Sequence, residues 1–181
     1  MTQTDYSGPD GTATSDRPIG SPVDEGLRAK QPMRIAGMFD AIAHRYDLLN
    51  RLLSGGLDQR WRARAVAALR LTPTDVLVDV CTGTADVALS ALSSQTPPAR
   101  AVGVDFSREM LRLGLAKARR RRSRTLLLAQ GDAMRLPLPD RSADAATIAF
   151  GIRNVQQPDA ACRELARVLR PGGRLAILEF G

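Results

Sequence analysis

Short apolar runs alternate with helical segments from residue 76 onward, and this alternation constrains the fold more than any other feature. Val76-Leu77-Val78-Asp79-Val80 is too short for a helix and too apolar for a half-exposed strand. It reads as a strand buried on both faces, as in a parallel sheet. Ala101 to Asp105, Thr125 to Ala129, Ala145 to Phe150 and Arg174 to Phe180 read as four more. Between them lie helices. Val87 to Leu92 is short. Ser107 is placed to cap the next, whose inward face is Met110, Leu111, Gly114, Leu115 and Ala118. Pro158 opens another, with Ala161, Leu165, Val168 and Leu169 inward and Pro171-Gly172-Gly173 as its stop. Strands alternating with helices predict an α/β doubly wound parallel sheet.

Two helices are expected ahead of the first strand. Phe39, Ile42, Tyr46, Leu49 and Leu53 step by three and four before Gly55-Gly56. Asp58 is then a candidate N-cap for a helix with Trp61, Ala65 and Leu69 on one face, closed before Pro73. Residues 1–30 differ in kind. Fourteen of these thirty are Gly, Pro, Ser or Thr, too polar to offset the entropy of ordering, so a disordered tail is expected. The domain is then residues 31–181, and 181 residues suit one domain.

Composition narrows the function. Two cysteines do not make a disulfide scaffold or a four-cysteine zinc site, and one histidine does not make a His-rich metal centre. No run of about 18 apolar residues is present, and the N-terminus has no apolar signal core, so a cytoplasmic location is expected. The net charge is +7, with 24 of the 26 basic residues arginine. The first thirty residues carry five acids and three bases, a net of −2, which leaves 7 − (−2) = +9 on the remainder. That excess attracts an anionic surface.

Four motifs fall at strand ends, where open α/β sheets bind ligands. Asp79-Val80-Cys81-Thr82-Gly83-Thr84-Ala85-Asp86 is a small-residue turn into a helix, where a ligand can approach the backbone. It lacks the three glycines of a dinucleotide fingerprint, which disfavours a nicotinamide cofactor. Asp105 ends the second strand, 22 residues after Gly83, where a carboxylate can accept both hydroxyls of a ribose. Gly131-Asp132-Ala133 follows the third strand, where a carboxylate and a backbone N–H can read an adenine edge. Phe150-Gly151-Ile152-Arg153-Asn154-Val155 follows the fourth.

The segment Met38-Phe39-Asp40-Ala41-Ile42-Ala43-His44-Arg45-Tyr46-Asp47-Leu48-Leu49-Asn50 resembles the N-terminal signature of the quinone C-methyltransferases, the UbiE/MenG/COQ5 family. Ile148 to Val155 and Arg170 to Leu175, continuing to Leu178-Glu179-Phe180, resemble two further signatures of that family. The match runs from residue 38 to 181. It implies a class I methyltransferase fold, S-adenosylmethionine as donor, and an isoprenoid quinol such as demethylmenaquinol as acceptor. By position it implies Asp79, Gly83, Thr84, Asp105, Asp132 and Ala133 at the donor. Ala85 stands where glycine is usual, which a negative φ would make tolerable. Relatives run some tens of residues further, so a final helix and two antiparallel strands are expected beyond Gly181. The chemistry so implied calls for no metal. It needs a deprotonated quinol whose ring carbon is held about 3–3.5 Å from the methyl group. Arg153 is the candidate for stabilising the phenolate, with Tyr46 and Asp47 shaping the acceptor side.

Other residues read as structural. His44 fits an exposed helix face, Cys81 and Cys162 fit packing, and Trp61 fits the core. Lys117, Arg119 to Arg122 and Arg124 form a basic run at a helix end, either solvated or facing an anionic lipid surface. No aromatic residue interrupts the run, which disfavours nucleic acid. The rival readings are a methyltransferase for another small molecule and a non-catalytic donor-binding remnant.

Overall fold

The structure, a computed structural model, describes residues 57–179. Expectations for the tail, the Phe39–Leu53 helix, His44, Tyr46 and Asp47 lie outside these residues. The chain runs α1 (Leu57–Ala68), β1 (Val76–Val80), α2 (Asp86–Leu92), β2 (Arg100–Asp105), α3 (Arg108–Arg120), β3 (Leu126–Gln130), β4 (Ala143–Ala149), a 3-10 turn (Ile152–Asn154), α4 (Pro158–Val168) and β5 (Leu169–Leu178). The sheet has the order β3-β2-β1-β4-β5, with every pair parallel. The order reverses direction beside β1, and the ends of β1 and β4 therefore frame a crevice.

β1 is central and all five of its residues are buried, which explains why it reads as an unbroken apolar run. Its side chains alternate between two cores. Leu77 packs with Val66 of α1 and Leu69 just after it, Leu89 of α2 and Ala118 of α3. Val78 and Val80 pack with Ala161, Leu165 and Val168 of α4 on the opposite face. The outer strands are less covered, and Leu127, Leu175 and Ile177 are exposed. No helix among the described residues is long and apolar enough to cross a membrane.

Local signals account for most boundaries. The Ser107 side chain accepts the Met110 N–H at 3.1 Å and caps α3 as expected. Pro158 opens α4, where its missing N–H costs nothing. Asp58 lies within the first turn of α1, 3.4 Å from Arg62, not ahead of the helix. Two expectations are corrected. α4 ends at Val168 and not at the Pro-Gly-Gly stop, because Leu169 is extended (φ −75, ψ 138). Pro171 bars the helical conformation at Arg170, and Leu169 instead pairs with Ala143 of β4. The chain then bulges, with residues 169 to 174 of β5 set against 143 to 145 of β4. Leu115 is 44% exposed, although its spacing suggests the inward face. α3 packs over β3, an edge strand, along the line Met110, Gly114 and Ala118, and Leu115 falls beyond that edge.

Candidate donor-binding site at the strand ends

The turn after β1 is held from below by buried polar contacts. The Asp79 carboxylate accepts the Thr82 hydroxyl at 2.6 Å and the Thr147 hydroxyl of β4 at 2.7 Å. It is 1% exposed. Burial pushes its pKa up to about 6, against the lowering effect of the two hydroxyls. Asp79 thus braces the turn from inside the core.

A second network fixes the turn's far side. Lys117 of α3 donates to the Thr84 hydroxyl and to Asp86, each at 2.6 Å. Arg62 of α1 donates to Asp86 at 2.7 Å. Burial alone would raise the Asp86 pKa, but Lys117 and then Arg62 hold it below the usual carboxylate range. Lys117 is therefore withdrawn from the basic run to which its sequence position assigns it. A compact ammonium serves where a planar guanidinium would not. Thr84 is buried, with its hydroxyl engaged by Lys117.

The backbone above these braces is strained. Cys81, Gly83 and Ala85 all have left-handed φ, at 53°, 55° and 65°. The positive φ at Ala85 is the reverse of what its methyl tolerates, so this residue stores about 1–2 kcal/mol. Gly83 leaves open space where a side chain would project, with nothing within 4 Å. Its N–H donates to Asp105 Oδ2 at 2.7 Å, and the Ser107 N–H donates to Oδ1 at 2.9 Å. A carboxylate, with two acceptor oxygens, is the group that a vicinal diol requires.

The third loop closes on the same end. Asp132 accepts the Met134 N–H at 2.8 Å in a side-chain turn, and Ala133 is buried. Gly131 permits the loop to fold back, since a Cβ there would lie 2.7 Å from Pro137. Burial and then the carboxylates of Asp105, Asp79 and Asp132 push the Cys81 thiol up to about 12. Cys81 remains protonated, as a packing residue should. Gly83, Asp105, Asp132 and Ala133 are thus brought to one end of the sheet. Asp79 and Thr84 lie beneath them.

Beyond β4 the chain folds over the turn. Phe150 has φ +58, donates its N–H to the Leu178 carbonyl at 2.7 Å and meets Trp61 edge-on at 6.3 Å. A Cβ on Gly151 would lie 2.4 Å from that of Cys81, so only glycine fits. Arg153 follows on the 3-10 turn, half-exposed, 3.2 Å from Glu179 past the end of β5. Sequence reasoning missed Glu179, the Trp61–Phe150 contact and the Lys117 brace. The rarity of lysine in an arginine-rich chain was the available signal for the last.

A small cleft lined by Cys81, Gly83, Thr84, Asp86 and Phe150 opens here. The residues fit an adenosyl group with a cationic centre. They supply open space over Gly83, a diol acceptor in Asp105 and three carboxylates close to Cys81.

Comparison with known proteins agrees. Residues 27–181 match the model of the ubiE/COQ5 methyltransferase family. The chain is 52% identical over 143 residues to the ubiquinone/menaquinone biosynthesis C-methyltransferase UbiE of Syntrophotalea carbinolica, covering 79% of this chain and 60% of that one. It is 52% identical over 144 residues to the demethylmenaquinone methyltransferase of Thermus thermophilus, covering 79% and 64%. The chain thus spans less than two thirds of the length of these relatives. Among solved structures it is similar to a SAM-dependent methyltransferase of Thermotoga maritima, with TM-score 0.59, 26% identity, and coverage of 78% and 59%. The doubly wound sheet, the turn over Gly83 and the match across residues 27–181 lead to one statement: this chain belongs to the ubiE/COQ5 methyltransferase family.

Proposed function

We propose that this chain transfers a methyl group from S-adenosylmethionine to a ring carbon of demethylmenaquinol or a related isoprenoid quinol. The observation that carries the reading is Asp105, held by two backbone N–H groups beside the open space over Gly83. S-adenosylmethionine supplies an electrophilic methyl group on a sulfonium. The protein's own residues do the rest. Asp105 accepts the ribose hydroxyls. Asp132 and the N–H of Ala133 meet the adenine edge. Asp79 and Thr84 fix the turn without touching the donor's charge. The carboxylates of Asp79, Asp105 and Asp132 favour a cation at this end of the sheet.

Arg153 acts on the acceptor. Negative charge gathers on the quinol oxygen as its proton passes to solvent; the adjacent ring carbon bonds to the methyl as the methyl–sulfur bond breaks, and loss of that carbon's proton to solvent restores the aromatic ring. A guanidinium aimed at that oxygen stabilises the charge. Its ion pair with Glu179 orients it from the side of β5. Tyr46 and Asp47 complete the acceptor side in this reading.

An isoprenoid acceptor resides in a bilayer. The reading therefore includes a cytoplasmic protein in peripheral contact with an anionic membrane surface. Arg119 to Arg122 and Arg124 lie at the opposite end of α3 from Ser107, just past Lys117, which bonds Thr84 of the donor turn. They would hold the domain at the surface in this reading. The test is methyl transfer to a short-chain demethylmenaquinol. Turnover that requires S-adenosylmethionine is expected. A chain that binds the donor and methylates no quinol contradicts the acceptor assignment.

A further inference from the structure

A second cavity, of about 630 Å³, lies on the far side of the Arg62–Asp86 pair from the donor cleft. α1 forms one wall, α2 and the loop Ser93 to Thr96 form the other, and Arg121 past α3 closes one end. It is large enough for a small organic ligand. Its charged lining is Arg62, Arg70 and Arg121 against Asp86, three positive groups to one negative.

These groups are not equivalent. Arg62 is neutralised by its pairing with Asp58 and Asp86. Arg70 and Arg121 are exposed, and their side chains make no ion pair or hydrogen bond among the described residues. Hydroxyls face them across the groove from Ser90, Ser93 and Thr96. Among the described residues the lining contains no aromatic side chain, hence no platform on which a nucleobase would stack. Two uncommitted guanidinium forks opposite hydroxyl donors match a phosphate, which takes charge-assisted bonds from the first and neutral ones from the second.

We propose that this groove is a second binding site, for a phosphate or diphosphate group without an attached aromatic ring. Arg70 and Arg121 are its principal contacts. Such a group is presented by a soluble phosphate ester or by the headgroup of an anionic lipid. The site shares no residue with the Asp105 ribose contact and goes beyond the methyl-transfer reading, although Arg121 also belongs to the basic run of the membrane reading.

The probes are inorganic pyrophosphate, by calorimetry, and vesicles of phosphatidylcholine with or without phosphatidylglycerol, by co-sedimentation. The full chain is compared with Arg70→Ala/Arg121→Ala and with Arg60→Ala/Arg163→Ala, which removes the same charge elsewhere. Saturable binding is expected, weakened about tenfold or more in the first variant and within about twofold in the second. Pyrophosphate binding that such vesicles do not displace assigns a soluble ligand. Phosphatidylglycerol-dependent sedimentation that pyrophosphate reverses assigns a headgroup. Binding to neither probe, or equal loss in both variants, overturns the proposal. Adenosylhomocysteine affinity is expected to be unchanged in the first variant, so the donor-site reading stands or falls separately.

Discussion

The two ends of the sheet are built differently. At the strand C-terminal ends, carboxylates are inside the structure. Asp79 is bonded to Thr82 and Thr147, and Asp105 to the backbone of Gly83 and Ser107. Left-handed backbone occurs there at Cys81, Ala85 and Phe150, and in the loops at the other end at Arg70, Arg122 and Arg141. At the strand N-terminal ends most charges are outside, with Asp75 the buried exception. Arg174 pairs with Asp75, Arg170 with Asp144 and Arg167 with Asp140, while Arg100, Arg119 to Arg122, Arg124 and Arg141 are exposed. One end is defined by close approach and hydrogen-bond geometry, which tolerate little change. The other is held by redundant, screened ion pairs, which tolerate much. Function follows the first kind of construction, because a cofactor must meet fixed donors and acceptors.

The largest expected break is at Gly151. An alanine there drives its Cβ against Cys81, and a loss of about 3 kcal/mol is expected in denaturant unfolding. A stability unchanged by Gly151→Ala would mean that the crevice is loose. Next is Arg153→Ala, for which turnover should fall about a hundredfold while donor affinity holds. Equal losses in both would make Arg153 a structural residue.

Asp79 sharpens the comparison through pH. Its folded pKa of about 6 lies above the 3.8 of an ordinary aspartate, so the native state holds the proton more tightly. Stability contributed by this group is therefore full at low pH and falls as pH rises from about 4 to 6. Asp79→Asn should flatten the unfolding free energy across that window, measured by denaturant titration at several pH values. A slope that persists in the variant removes Asp79 as its source. A smaller effect belongs to Ala85→Gly, which should raise stability by about 1 kcal/mol by relieving φ +65. The smallest is Arg170→Ala at the other end, expected to cost less than about 1 kcal/mol in thermal unfolding.

Much of this contrast is legible in the sequence, for reasons of range. A buried central strand declares itself in five consecutive residues, and the Ser107 cap and the Pro158 start are equally local. Asp105 is legible because the spacing from Gly83 follows from one helix and one strand of ordinary length. What stayed hidden depends on contacts far along the chain. The outward turn of Leu115 is set by β3 being an edge. Lys117 turns inward because Thr84 and Asp86 await it, 33 and 31 residues earlier. The left-handed φ of Ala85 is imposed by a turn that Asp79 and Asp105 pin from two strands. The start of β5 at Leu169 depends on Ala143 as partner.

The central claim is that Asp105 and the turn over Gly83 form a donor site. It is tested most directly by calorimetric titration with S-adenosylhomocysteine of the wild-type chain, Asp105→Ala and Asp105→Asn, each first shown to be folded. Saturable binding is predicted for the wild type, weakened about 10- to 100-fold by alanine and less by asparagine, which keeps one acceptor oxygen. A folded wild-type chain that does not bind, or an alanine variant that binds equally well, would contradict it.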